Sequence, residues 1–189
     1  MTRLGVAIAA ALIAAAGAHA GDERPPEPEG YRLTELRAPT PATLAGARVI
    51  GLAELEALAA EEPVLIDVGP IPVRPPDMAE DGVWLPLHRS IPGAAWLPGA
   101  GAGELSPEAE ARLLDQVAAL TEGDRAAPVV VFCKPDCWGS WNVGKRLVRA
   151  GYTGIAWFPD GIDAWQEAHP TQPVDAAPGW GEAGAPPAG

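Results

Sequence analysis

Residues 128–142 read Pro-Val-Val-Val-Phe-Cys-Lys-Pro-Asp-Cys-Trp-Gly-Ser-Trp-Asn. The four apolar residues after the proline have the composition of a short strand that is buried on both faces of a parallel sheet. Cys133 follows this strand directly and Cys137 comes four residues later. Apolar residues at 143–150 then indicate a helix that ends at Gly151, where glycine can adopt the left-handed cap conformation. The segment therefore predicts a strand, a cysteine-containing loop and a helix in succession.

Strands and helices alternate along the rest of the chain as well. Short apolar runs predict strands at 64–68, 95–97 and 155–158, and apolar residues at helical spacing predict helices at 52–61, 106–120 and 161–168. Prolines between the first two strands predict a long loop at 69–89. Strands that alternate with helices indicate a parallel sheet with helices on both faces. The predicted fold class is therefore α/β.

The first twenty residues have a composition of their own. Arg3 is followed by an apolar run and then by Ala18-His19-Ala20, which is the pattern of a secretory signal peptide with cleavage after Ala20. The apolar run is too short to cross a bilayer as a membrane anchor. We expect export to the periplasm, with no membrane segment after cleavage.

The two segments that flank the predicted domain are also distinct. Prolines and acidic residues just after the signal peptide predict a flexible leader at 21–47. Glycine, alanine and proline predict a disordered tail at 169–189. A single domain is thus expected at 48–168.

Charge and cysteine content exclude several classes of protein. Acidic residues outnumber basic ones by 25 to 13, for a formal net charge of -12, which excludes a nucleic-acid binder. Two cysteines exclude a disulfide-stapled scaffold and a four-cysteine zinc site. Cys133 and Cys137 could supply two soft ligands to Cu(I), but the sequence identifies no third ligand, so no metal site is predicted.

The cysteine-containing loop is the candidate site. A loop between a buried strand and a helix lies at the carboxyl end of the sheet, where ligands bind in open α/β folds. Backbone N–H groups at the start of a helix stabilise a thiolate, so we expect a depressed pKa and nucleophilic character for Cys133. The alternative is that Cys133 is a small buried apolar residue. The second cysteine favours a functional pair, which is expected to rest as a disulfide in an oxidising compartment.

Several segments together resemble the rhodanese domain family. They are Val129-Val130-Val131-Phe132-Cys133, Asp160-Gly161-Ile162-Asp163-Ala164-Trp165, Val64-Leu65-Ile66-Asp67-Val68 and Ile91-Pro92-Gly93-Ala94. The resemblance covers residues 48–168 and implies a three-layer sandwich with a central parallel sheet. It also implies that Cys133 accepts sulfur from a small-molecule donor, and we expect Cys137 to resolve the intermediate as a disulfide. Asp67 matches the family's early acidic residue and is expected to fix a loop by accepting hydrogen bonds.

The loop departs from the family in the residues that would bind thiosulfate. Rhodaneses that use thiosulfate carry an arginine that closes the loop, whereas Trp138 and Gly139 occupy the two candidate positions here. The sequence therefore predicts weak thiosulfate turnover. Lys134 remains as a mobile positive charge, and Ser140 is a candidate helix cap.

A narrower resemblance concerns the second half of the loop. Cys137-Trp138 with Ser140-Trp141-Asn142 is similar to periplasmic rhodanese-like proteins that are named for a Cys-x-x-Cys-Trp motif, although three residues separate the cysteines here. The resemblance implies a link to alcohol oxidation that depends on pyrroloquinoline quinone (PQQ), with a periplasmic oxidoreductase as a possible partner. Trp138 could shield the site from water or stack on a quinone. The alternative function is a non-catalytic accessory that binds a partner, a quinone cofactor or Cu(I).

Overall fold

A computed structural model of the protein describes residues 24–181. The predicted signal peptide and the end of the predicted tail, residues 182–189, lie outside these residues. The strands are β1 (Arg48–Val49), β2 (Val64–Asp67), β3 (Arg89–Ser90), β4 (Ala95–Trp96), β5 (Val129–Phe132), β6 (Ile155–Phe158) and β7 (Gln172–Pro173). The helices are α1 (Leu52–Leu58), α2 (Pro107–Leu120), α3 (Trp138–Arg149) and α4 (Gly161–Ala168), and a short 3₁₀ turn (Ala59–Glu61) follows α1.

Five of these strands form one parallel sheet in the order β1-β6-β5-β2-β4. The central strand β5 pairs with β2 on one side and with β6 on the other, so all its residues are buried. Residues 69–88 contain no helix or strand, as predicted for the long loop. None of the helices in residues 24–181 is long and apolar enough to cross a membrane.

Side chains that alternate along β5 separate the core into two layers. Val129 and Val131 pack in one cluster with residues of α2 and α3, whereas Val130 and Phe132 pack in another with residues of α1 and α4. Successive side chains of a strand point to opposite faces of the sheet, so a strand that is covered on both faces packs into two layers. The predicted α/β fold, a central parallel sheet with helices on both faces, is thereby confirmed.

The structure corrects the predicted flexible leader for the residues it describes. Leu36 and Leu44 are buried in a cluster with Trp138, Trp141 and Trp157. Asn142 on α3 accepts a hydrogen bond from the Arg32 N–H (2.9 Å) and donates one to the Arg32 carbonyl (2.9 Å). Proline and charge suggested disorder, but this segment finds its apolar and polar partners on a helix more than 100 residues away.

The predicted disordered tail is corrected in the same way up to residue 181. β7 pairs with β3 in an antiparallel ribbon, with Ser90 opposite Gln172. Trp180 is buried in the core cluster of α2 and α3. One tryptophan anchors a segment whose glycine and alanine content predicted disorder, because it buries a large apolar surface.

The hydrogen bonds of Asn142 yield a stability prediction. Asn142→Ala removes both bonds to Arg32 and a third to the Gly101 carbonyl (3.0 Å). It is expected to lower the free energy of unfolding by about 2 to 3 kcal/mol in urea, because buried polar groups lose their partners. Hydrogen exchange of the Arg32 amide should speed up as well.

An exposed residue on α2 provides the control. Asp115→Ala is expected to change the free energy of unfolding by less than about 0.5 kcal/mol. Unchanged exchange at Arg32 in Asn142→Ala would show that the N-terminal segment is held by its apolar contacts alone.

Candidate active site

The two cysteines lie at opposite ends of a tight loop. Cys133 follows β5, and Cys137 is the N-cap residue of α3. Asp136 adopts a left-handed conformation with φ of 53°, which turns the chain into the helix. Both cysteines are buried, with 1% of Cys133 and 7% of Cys137 exposed.

Gly161 allows the start of α4 to approach this loop. The Ile162 N–H donates a hydrogen bond to the Cys133 carbonyl (2.8 Å). Gly161 has φ of 55°, and a Cβ there would lie 2.3 Å from the Cys133 carbonyl oxygen. Only glycine fits this position, which explains the presence of Gly161 in the Asp160–Trp165 segment.

Neighbouring groups stabilise the thiolate of Cys137. Cys137 Sγ makes no N-cap hydrogen bond, but the neighbouring Cys133 thiol and the backbone N–H groups of Ser140, Gly139 and Lys134 favour its thiolate electrostatically. Together they lower the pKa of Cys137 to about 6, although burial opposes the shift. Because Cys137 is the N-cap, the N–H groups that act on it include unpaired donors from the first turn of α3.

The pKa of Cys133 shifts in the opposite direction. The expectation that the pKa of Cys133 is depressed is therefore wrong. Its hydrogen bond to Cys137 and its burial raise the pKa of Cys133 well above the ordinary value of 9.0. Lys134 N–H is the backbone group that favours the Cys133 thiolate, and it does not offset the other two effects. Cys137 therefore has the lower pKa of the pair, and both cysteines are free in the structure.

The cysteines line different cavities. Cys137 lines a cavity of about 140 Å³ whose other lining residues include Leu36, Val68, Gly101 and Ala102. Cys133 lines a cavity of about 470 Å³, which is described next.

The larger cavity collects residues from four parts of the chain. Asp67, His88, Lys134 and Gln166 contribute to its lining together with Cys133. Its lining is thus more polar than that of the smaller cavity. Pro70 contributes to the linings of both cavities.

The N-terminal segment forms one wall of the Cys137 side. Arg37 forms an antiparallel bridge with Cys137. The Trp138 N–H donates to the Leu36 carbonyl (2.9 Å), and the Ala38 N–H donates to the Asp136 carbonyl (3.1 Å). The segment thus adds a short strand to the cysteine loop and holds its conformation.

Asp67 organises the wall of the Cys133 cavity, as its predicted role as a loop-fixing acceptor implies. Its carboxylate accepts hydrogen bonds from the Gly69 N–H (2.7 Å), His88 Nε2 (2.7 Å) and Ser90 Oγ (2.6 Å). The His88 ring stacks on Trp96 with 4.0 Å between ring centroids. One buried carboxylate therefore fixes both ends of the 69–88 loop.

The remaining predicted site residues lie either on the lining of one of the two cavities or in the core. Lys134 is exposed and lines the Cys133 cavity, and Gly139 lines the Cys137 cavity. Ser140 is not the helix cap: it lies in the first turn of α3, where its hydroxyl donates to the Cys137 carbonyl (3.0 Å) and accepts from Trp157 Nε1 (3.0 Å).

Trp138 does not present a free face to a ligand. It is 2% exposed and packs edge-on against Trp141, with 5.3 Å between ring centroids and an interplanar angle of 72°. The guanidinium of Arg32 lies 5.3 Å from its ring centroid. The suggestion that Trp138 stacks on a quinone is therefore wrong, because neighbouring side chains cover the ring.

Sequence reasoning missed Leu36, Arg37 and the pairing of His88 with Asp67. The segment around Leu36 carries charge and proline that masked its two anchoring leucines. His88 and Ser90 are two residues apart, so they lie on one side of an extended chain, and this spacing was the available signal. Within residues 24–181, no group of three His, Cys, Asp or Glu side chains could hold a metal ion.

The chain is similar to a known domain family and to several solved structures. A family model described as a rhodanese-like domain matches residues 52–168. The human single-domain sulfurtransferase is 24% identical, with a TM-score of 0.41 and coverage of 66% of this chain and 99% of that chain. The polysulfide-sulfur transferase from Wolinella succinogenes is 24% identical, with a TM-score of 0.41 and coverage of 68% and 80%. The thiosulfate sulfurtransferase from Pseudomonas aeruginosa is 21% identical, with a TM-score of 0.42 and coverage of 69% and 21%. No curated protein sequence matches the chain.

Proposed function

Since this chain belongs to the rhodanese-like domain family, whose fold suggests sulfur-transfer chemistry, we propose that it is a thiol-dependent sulfurtransferase in which Cys137 captures sulfur and Cys133 resolves the intermediate. The roles of the two cysteines are thus the reverse of those that the family resemblance implies. The observation that carries the proposal is the position of Cys137 at the N-cap of α3 beside the Cys133 thiol, where the start of the helix favours its thiolate.

Sulfur capture begins with the thiolate of Cys137. This thiolate attacks the outer sulfur of a low-molecular-weight persulfide, R–S–SH. The S–S bond of the donor breaks, and the donor leaves as the thiol RSH. Cys137 then carries a persulfide whose outer sulfur is the transferred atom. A thiolate is the reactive form of cysteine, and at neutral pH Cys137 supplies it.

Cys133 completes the reaction as the resolving residue. Its sulfur attacks Cys137 Sγ, a disulfide forms between the two cysteines, and the outer sulfur leaves as sulfide with the Cys133 proton. The sum converts one persulfide and two thiols into RSH, hydrogen sulfide and one protein disulfide. The hydrogen bond that joins the two sulfurs before reaction places Cys133 next to the atom it attacks.

The size of the Cys137 cavity favours small donors. Its volume of about 140 Å³ and its lining of Leu36, Val68, glycine and alanine leave room for a small aliphatic persulfide. Arg37 is the charged residue in this lining, and it comes from the N-terminal segment rather than from the loop. Thiosulfate turnover stays a prediction of weak activity, about 10 to 100 fold below that of a rhodanese with a loop arginine.

Product stoichiometry in a single turnover tests the proposal. Reduced protein mixed with one equivalent of a small alkyl persulfide is expected to release one equivalent of sulfide and to form one disulfide. Cys133→Ser should keep the persulfide on Cys137 and release no sulfide, as detected by peptide mass spectrometry. A persulfide on Cys133, or sulfide release by Cys133→Ser at the wild-type rate, would contradict the assignment. No sulfur uptake at all would favour the accessory function.

We further propose that the protein is exported to the periplasm and acts beside PQQ-dependent alcohol oxidation, in contact with an oxidoreductase of that compartment. The residues that support export are the charged, apolar and small residues of the first twenty positions. The support for the link to PQQ is the resemblance of the Cys137–Asn142 motif. A direct contact between Trp138 and the quinone is no part of this proposal.

Export and the PQQ link have separate tests. Protein isolated from the periplasm is expected to begin at Gly21, as read by mass spectrometry of its N-terminal peptide. An intact Met1 on that material would contradict export. Deletion of the gene should slow growth on an alcohol that requires PQQ-dependent oxidation and leave growth on a sugar unchanged, and equal growth on both would contradict the link.

A further inference from the structure

The two cysteines of the pair line different cavities. Cys137 contributes to the lining of the small cavity and not to that of the large one, and the reverse holds for Cys133. A reagent in one cavity therefore meets a different sulfur from a reagent in the other. This matters once the pair is oxidised, because a disulfide can be attacked at either sulfur.

The orientation of the S–S bond determines the direction from which a thiolate attacks a disulfide. The incoming sulfur, the attacked sulfur and the leaving sulfur lie in line, so a thiolate that attacks Cys133 approaches from the side opposite Cys137. Cys133 contributes to the lining of the cavity of about 470 Å³, so this cavity is the one from which an incoming thiolate can meet it.

The leaving group favours the same sulfur. Thiol–disulfide exchange is faster when the departing thiolate has the lower pKa. Attack at Cys133 expels Cys137, whose thiolate the N–H groups of Ser140 and Gly139 still favour after Cys133 has lost its S–H. Attack at Cys137 would instead expel Cys133, whose burial raises its pKa.

We propose that the oxidised pair is reduced from the Cys133 side, by a thiolate that occupies the larger cavity and attacks Cys133 Sγ. The inference rests on the proposed function, since it assigns the step that returns the pair to its thiol form. The substrate of sulfur capture and the reductant thus use separate cavities.

The step balances in atoms and electrons. A thiolate RS⁻ bonds to Cys133 Sγ, the bond between the cysteines breaks, and its electron pair goes to Cys137 as a thiolate. A second RS⁻ attacks the sulfur of R in the mixed disulfide, which forms RSSR and releases Cys133, and Cys133 takes up a proton. Two thiols are oxidised to one disulfide and the protein pair gains two electrons.

Two kinds of thiol could supply this chemistry: a small molecule or a protein cysteine. Lys134 on the cavity lining favours the thiolate form of either one. Val73, which is 81% exposed on the same lining, would touch a protein but is not needed by a small thiol. Either source must attack Cys133 for the inference to hold.

The position of the mixed disulfide tests the proposal. Protein oxidised with diamide is mixed with mercaptoethanol, quenched in acid at early times, capped with N-ethylmaleimide and mapped by mass spectrometry. The expected species carries mercaptoethanol on Cys133 and the cap on Cys137. Mercaptoethanol on Cys137, or an even distribution, would overturn the proposal, as would a failure of diamide to form the disulfide.

Cavity-filling variants provide an independent measurement. Gln166→Trp places a large side chain on the lining of the Cys133 cavity, and Glu167→Trp, the next residue of α4, is the matched control because it is exposed and outside that lining. Gln166→Trp is expected to slow reduction by mercaptoethanol by about tenfold or more, since the in-line approach is blocked. Ala102→Leu, on the Cys137 side, should slow sulfur capture instead.

The results of these experiments distinguish a failure of this inference from a failure of the proposed function. Equal reduction rates in Gln166→Trp and Glu167→Trp would overturn the inference even if sulfur capture is normal. If no persulfide forms but mercaptoethanol still adds to Cys133, the proposed function fails and the side of reduction stands. Reduced thioredoxin in place of mercaptoethanol tests a protein thiol: slower reduction of Val73→Asp by thioredoxin, with mercaptoethanol unaffected, supports a protein reductant at this cavity.

Discussion

Cys137→Ser is expected to lower the rate of sulfur capture at pH 7 by at least about a thousandfold, because a hydroxyl supplies almost no nucleophilic anion at this pH. In the wild-type protein, a pKa of about 6 leaves roughly nine tenths of Cys137 as thiolate at pH 7, against a few per cent for an ordinary cysteine. The measurement is stopped-flow consumption of a small alkyl persulfide. Capture at a near-normal rate in Cys137→Ser would assign the reaction to Cys133.

The pH dependence of the wild-type rate is the second part of this prediction. Capture should rise as pH increases through about 6 and then level off, whereas a thiol of pKa 9.0 would continue to rise to higher pH. Ultraviolet absorbance of the thiolate should show the same inflection. Asp67 is the charged side chain that acts on the pair, through Cys133, whereas Lys134 acts through its backbone N–H.

Matched variants of Cys133 test the cause of the low pKa. Cys133→Ala removes the hydrogen bond that contributes most to the shift, so the inflection should move to higher pH. Cys133→Ser keeps a donor at this position and should move it less. An inflection near pH 6 in Cys133→Ala would show that the N–H groups at the start of α3 suffice.

Asp67→Ala is expected to lower the free energy of unfolding by about 3 to 5 kcal/mol, because it leaves several buried donors without their shared acceptor. The donors are the Gly69 N–H, His88 Nε2 and Ser90 Oγ. Urea denaturation followed by circular dichroism measures the change. The wall of the Cys133 cavity should also loosen, so hydrogen exchange of the Gly69 amide is expected to speed up.

Variants that remove one donor at a time provide the comparison. His88→Phe keeps a ring that can stack on Trp96, and Ser90→Ala removes one hydroxyl, so each should cost about 1 to 2 kcal/mol. If Asp67→Ala costs no more than either single variant, the carboxylate does not organise this wall.

The helices and strands near the cysteine loop could be predicted because their signals are local. Four apolar residues in β5 and the helical spacing of the apolar residues that follow specify a buried strand and a helix without information from distant parts of the chain. The start of α3 was the exception. Its first turn contains Trp138, Gly139 and Ser140, whose apolar and small residues show no clear helical period, so the N-cap was not assigned to Cys137.

The ends of the domain could not be predicted, because their partners are distant in sequence. Pro and Gly content describes a chain that cannot form helices or strands by itself, but it does not report docking on another surface. Leu36 and Trp180 become ordered through contacts with residues of α3 and α2. Each of these two side chains is buried, and the amino-acid composition of its segment does not indicate this burial.

The sequence by itself determined the α/β fold, the position of Cys133 after the central strand and the presence of a second cysteine close enough to react with it. The tertiary structure alone decided which cysteine has the lowered pKa and which cavity each cysteine lines. The physical reason is that a pKa depends on the groups and the burial around one atom. Cys137 stands at the start of α3, whose first N–H groups favour its thiolate, whereas Cys133 is buried at the end of β5.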